Sequence, residues 1–122
     1  MKQLITYSFL LFTFLANAQV KNIFDIARKG NLQEIQEIYK NNPASIDSLD
    51  EKKSSPLLLA CYRGNTDVAS FLADKTKNIN YNAGMGTALM AAVMSGNSKI
   101  VEKLIAIKAD LNLADTSGKT AL

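Results

Sequence analysis

Histidine is absent from these 122 residues, and cysteine occurs once, as Cys61. Those two shortages remove the usual zinc ligand sets and the imidazole-assisted nucleophiles, which need His or several Cys. A single Cys also excludes an intrachain disulfide, so packing alone must hold the fold. A strong excess of one charge is missing too. Lys and Arg number 14 against 11 Asp and Glu, a net +3, with the signs interspersed and no basic run longer than two. Nucleic-acid binding calls for a clustered basic stripe, and none is present. Beyond the N-terminus no stretch is long and apolar enough to span a bilayer.

What is present begins with a leader. Lys2 is followed by the almost wholly apolar run Leu4 to Leu15 and by the small-x-small triplet Ala16-Asn17-Ala18. Together these read as a secretory signal peptide over residues 1–18, cut after Ala18. The apolar run is roughly 12 residues, short of the roughly 20 a spanning helix needs, so an uncut anchor fits less well. No Cys follows the cut to carry a lipid. The expectation is a periplasmic or secreted chain, residues 19–122, with no membrane insertion after cleavage.

Within that chain one segment recurs. Ala60-Cys61-Tyr62-Arg63-Gly64-Asn65 is matched by Ala92-Val93-Met94-Ser95-Gly96-Asn97, and a worn copy precedes them as Ile26-Ala27-Arg28-Lys29-Gly30-Asn31. A period of about 33 residues marks a solenoid, whose units bury their apolar faces only against one another. Ser55-Pro56-Leu57 opens a helix, with Ser55 as cap and Pro56 at the first helical position. Leu57, Ala60 and Cys61 share one face, and Gly64 ends the helix where positive φ is easiest for Gly. A second helix from Thr66-Asp67 buries Val68, Ala69, Phe71 and Leu72. The third unit follows suit: Thr87-Ala88-Leu89 opens it, Ala91-Ala92 is its small pair, Gly96 turns it, and Ile100, Val101, Leu104 and Ile105 form the second stripe. In the first unit Ile23, Ile26 and Ala27 pack one helix and Leu32, Ile35, Ile38 and Tyr39 the other. Gln33, Glu34, Gln36 and Glu37 keep its outer side wet, as an end cap requires. Cys61 reads as a small buried hydrophobe where two helices come close.

This pattern resembles the ankyrin repeat over essentially all of residues 19–122. Ser55-Pro56-Leu57 and Thr87-Ala88-Leu89 stand for the family's Thr-Pro-Leu, and Ala109-Asp110-Leu111-Asn112 for its Ala-Asp-Val-Asn. Asp115 to Leu122 matches the opening of a further unit. The implied fold is all-α: an ankyrin-repeat solenoid of stacked helix-turn-helix units joined by hairpin-like loops. Its repeats are expected near 21–49, 50–81 and 82–114, with the start of a fourth at 115–122. Two features depart from the family. Its usual His is replaced by Leu58 and Met90, so the loops are expected to be held more by packing. The third unit would also show an apolar edge, so further repeats or a cap are expected after Leu122, or else a partner on that edge.

Three constellations imitate chemistry. Gly118-Lys119-Thr120 suggests a phosphate loop, but Leu113 stands where the required Gly would be. Asn78, Asn80 and Asn82 alternate as in a calcium loop, yet they are neutral amides, with Ala83 and Leu89 at key positions. Asp47, Asp50 and Glu51 read as solvated acids on a hairpin tip. No catalytic, metal or cofactor residue is expected, and the chain is not read as an enzyme.

The resemblance implies a protein partner held on the concave side, by the two residues before each helix-ending Gly and by the tips. These are Arg28 and Lys29, Tyr62 and Arg63, Met94 and Ser95, with Glu51, Lys52, Ser54, Ala83 and Gly84. Thr116, Ser117 and Lys119 add a further tip. Arg28, Lys29, Lys52 and Arg63 would tilt this side positive, towards an acidic partner. The expected function is a binding module for a periplasmic or secreted protein, of the exported bacterial kind. Its rivals are a self-assembling repeat segment, or the repeat part of a protein whose activity lies beyond Leu122.

Overall fold

The computed structural model describes residues 22–82 and 84–121. The leader reading of residues 1–18 and the tip residue Ala83 lie outside the described residues. Among the described residues six α-helices form three antiparallel pairs: α1 (Ile23–Lys29) with α2 (Leu32–Asn41), α3 (Pro56–Arg63) with α4 (Thr66–Lys75), and α5 (Ala88–Ser95) with α6 (Ser98–Ala106). A short 3₁₀ turn, Pro43–Asp47, takes up the longer link after the first pair and buries Ile46. No strand occurs among the described residues. The pairs stack in one direction, so α3 packs between α1 and α5 and α4 between α2 and α6.

Local chemistry explains each boundary. Ser55 Oγ accepts from Leu58 N–H at 3.1 Å, and Thr87 Oγ1 does the same for Met90 N–H at 3.3 Å. Each satisfies a donor that the first helical turn cannot. Gly64 and Gly96 end α3 and α5 in the left-handed region, at φ 69° and 71°. Gly30 differs: its φ of −80° suits any residue. Glycine is required there by space, since a Cβ would stand 2.8 Å from the Ile26 Cα.

The core runs through the stack along the small residues. Ala27, Ala60, Cys61 and Ala92 are fully buried where α1, α3 and α5 meet, and Ile35, Val68, Leu72, Ile100 and Leu104 fill the gap to the outer row. Two expected core residues are not in it. Leu32 is 38% exposed and Ile105 46%. Leu32 is the first residue of α2, and Ile105 follows the fully buried Leu104 on α6, about 100° further round the helix. Phe71 is half-buried instead of enclosed, and its ring meets Tyr39 edge-on at 5.5 Å between centroids.

The recurrent Asn after each glycine has a mechanical role. Asn65 Nδ2 donates to the carbonyls of Ala27 and Gly30, at 3.1 and 3.0 Å, and more distantly to Ile26 at 3.4 Å. The carbonyls of Ala27 and Gly30 are left over at the C-terminal end of α1, whereas that of Ile26 already accepts from Gly30 N–H at 2.7 Å. Asn97 repeats the move one unit on, donating to Thr66 Oγ1 at 2.7 Å and to Gly64 O at 3.4 Å. Among the described residues no unit precedes Asn31. It closes a capping box with Glu34 at the start of its own helix α2.

Candidate functional site

The loops between the pairs are tied by a side chain that repeats at matching places. Asp50 Oδ1 accepts from the N–H groups of Lys52 and Ser54 at 3.0 and 2.8 Å. Asn82 Oδ1 accepts from Gly84 and Gly86, and Asp115 Oδ1 from Ser117 and Lys119. These bonds serve where the family's His is absent, so the loops are held by Asx turns as well as by packing. Met90 contributes the packing part: its Sδ lies 3.2 Å from where a Cβ on Gly86 would stand, and Gly86 has a φ of 120°.

Asp47 and Asp50 are therefore not free acids on a tip. Asp47 Oδ1 accepts from Thr76 Oγ1 at 2.6 Å and from Lys77 N–H at 3.1 Å, joining the first unit to the second. The amides that imitate a calcium loop are also committed. Asn78 Oδ1 accepts from Asn80 N–H, and Asn80 Oδ1 from Asp110 N–H in the next unit at 2.7 Å. Asn82 Nδ2 donates to Ala114 O at 2.8 Å. No group of three or more potential metal-binding side chains occurs among the described residues.

With the tips fixed, the ends of α3 and α5 and the loops before them enclose a groove of about 500 Å³. It gathers Arg28, Lys52, Ser54, Tyr62, Arg63 and Met94 from among the residues expected at the interface. It also takes in residues that the sequence reading did not assign to a partner: Asp50, Thr87, Ala91 and the larger apolar Leu58, Leu59, Met85 and Met90. Tyr62, Met85 and Met94 are 61%, 70% and 75% exposed. Such large apolar side chains standing in water at one place are what an interface centre offers. Ser54 is buried in the loop closure, and its carbonyl accepts from Asp50 N–H.

The other expected residues lie elsewhere. Glu51 lines a neighbouring hollow of about 470 Å³ with Asn22, Phe24 and Leu49, which shares Arg28, Asp50 and Lys52 with the groove. Lys29 and Ser95 are exposed outside both, and Ser95 Oγ donates to Ala92 O at 3.0 Å. Gly84 accepts from Thr116 N–H through its carbonyl, so the tip holding Thr116, Ser117 and Lys119 is laid against the preceding loop. None of these four lines the groove.

Electrostatics also revise the expected positive tilt. Arg28 sits 3.3 Å from Asp25 and 3.6 Å from Asp50, so its charge is answered within the fold. Lys52 and Arg63 have no carboxylate partner among the described residues. Cys61 stays neutral, because burial pushes its thiol up to about 12. Enclosure at the α1–α3–α5 seam makes it a packing residue.

A one-directional stack of helix pairs, with tied loops and a groove across their ends, defines a helical repeat protein. The chain matches the family described as Ankyrin repeats (3 copies) over residues 23–122, and it belongs to that family. It is 31% identical over 102 residues to ankyrin repeat and SAM domain-containing protein 6 of Rattus norvegicus, covering 82% of this chain and 12% of that protein. It is 30% identical over 92 residues to 26S proteasome non-ATPase regulatory subunit 10 of Dictyostelium discoideum, covering 73% and 39%. A probable E3 ubiquitin-protein ligase of Oryza sativa subsp. japonica, XBOS32, is 30% identical over 113 residues, covering 90% and 23%. The chain thus spans well under half the length of each. Ankyrin repeats typically mediate protein–protein interaction and are generally non-catalytic, though some relatives carry them within larger enzymes.

Proposed function

We propose that this chain is a non-catalytic module that binds a partner protein through the groove across α3 and α5. The observation that carries it is the exposure of Tyr62, Met85 and Met94 around one 500 Å³ groove, over loops tied by Asp50 and Asn82. Rigid loops lose little ordering entropy on binding, so the contact area converts to affinity efficiently. Lys2, the apolar run after it and Ala16-Asn17-Ala18 support a partner met in the periplasm or outside the cell. The exposed Val93 and Ile105, on the last helix pair, support a further unit or cap packed beyond Ala121.

The test is a paired capture from a fractionated extract of the source organism, with the chain and its Tyr62→Ala/Arg63→Ala form as baits. Both side chains are exposed, so the double variant should keep its helical circular dichroism and melt within about 0.5 kcal/mol of the parent. A protein retained by the parent and lost by the variant supports the groove. One retained equally by both places recognition on another face.

A further inference from the structure

The groove is not uniform along the stack. Its unanswered cations, Lys52 and Arg63, belong to the second unit, one on the tip and one at the end of α3. Its methionines, Met85, Met90 and Met94, all belong to the third, and Tyr62 stands between the two groups. Of the four charged residues lining the groove, three are basic, and the acidic one, Asp50, already holds Arg28 and two backbone N–H groups. The charges are therefore confined to the first two units, and the third unit's side of the groove, formed by Met85, Thr87, Met90, Ala91 and Met94, carries none. Met side chains are unbranched and polarizable, so they mould to an inserted side chain without demanding one shape.

We propose that the groove takes an extended segment of the partner protein, in which acidic residues lie beside an apolar anchor. The anchor, a Leu or Phe, rests on Met85, Met90 and Met94, and the carboxylates face Lys52 and Arg63. Packed helices stand roughly 8–10 Å apart, and an extended chain advances about 3.3 Å per residue. Anchor and acid are then about three residues apart. This rests on the binding-module reading and adds to it a partner chemistry and a spacing.

Fluorescence anisotropy with labelled synthetic peptides tests it. The probe is Gly-Phe-Leu-Ser-Ser-Asp-Glu-Gly, together with its reversed order, titrated with the full chain. One of the two orders binds, and replacing Asp-Glu by Asn-Gln, or widening the gap by three residues, weakens it on the order of tenfold. Lys52→Glu/Arg63→Glu causes a similar loss, after which the amide peptide binds no worse than the acidic one. Met85→Ala/Met94→Ala also weakens the probe on the order of tenfold, with circular dichroism unchanged in both variants. The proposal is overturned if neither order binds, or if the charge-reversed chain still prefers the acidic peptide. It is equally overturned if sedimentation shows a Met94-dependent dimer, because the occupant is then a second copy. Capture that depends on Tyr62 and Arg63 without peptide binding would leave the module reading standing and remove only this one.

Discussion

Asn31 and Asn65 follow equivalent glycines, yet one caps its own helix and the other reaches back to the carbonyls that end α1. The same residue type at the same step of the repeat takes its role from what lies beneath it. At the end of the stack the nearest unpaired groups are local. Inside it they also belong to the neighbour: Asn65 gives its amide wholly to α1, and Asn97 both caps α6 through Ile100 N–H and reaches back to Thr66. Gly30 and Gly64 make the same point: one is needed for close approach to Ile26, the other for its left-handed backbone.

The sharpest way to test that contrast is to compare adjacent residues with opposite environments. Leu104→Ala empties a fully buried site and should cost about 2–5 kcal/mol. Ile105→Ala, one residue on and exposed, should stay within about 0.5 kcal/mol. Urea unfolding of both variants measures the difference, and equal losses would mean that the register of α6 is wrong.

The two asparagines come next. Asn65→Ala strips the carbonyls of Ala27 and Gly30 of their partner and should destabilise by about 1–3 kcal/mol. Asn31→Ala removes one cap and should cost about 1 kcal/mol. In amide exchange, Asn65→Ala should loosen the first pair against the second, whereas Asn31→Ala should loosen only the start of α2. Reversal of that order would refute the distinction between end and interior.

The smallest effect is at Cys61. Its folded-state thiol, at about 12, is raised above the ordinary value of 9.0, so the folded state keeps its proton longer than the unfolded one. Stability from this group is full below about pH 9 and falls above it, by up to about 1.4 kcal/mol per pH unit. Comparing the stability of the parent with that of Cys61→Ala between pH 8.5 and 10 isolates this slope. A thiol reagent should meanwhile react with the native protein only as fast as it opens.

The architecture could be read from the chain because its determinants are local. Ser55 and Thr87 announce helix starts, Gly64 and Gly96 announce stops, and the small residues around Ala60 and Ala92 mark the seam. Half of the groove was legible in the same way, through Tyr62, Arg63 and Met94 before their glycines. Met85 and Met90 were not, because they reach it only after Asn82 and Gly86 have folded the third loop back. The commitment of Asp47 to Thr76 and Lys77 was hidden for a related reason: its partners lie 29 and 30 residues away, in the next unit. Ile105 was misplaced because a helical stripe alone does not say where a shared face ends.

Asn65 and Asn97 both point towards the N-terminus, at carbonyl or hydroxyl acceptors belonging to a unit made earlier in synthesis. Each of these two asparagines therefore ties its own unit to the one before it. The ties thus give the stack a polarity: turning one unit end for end would leave its asparagine with nothing to hold.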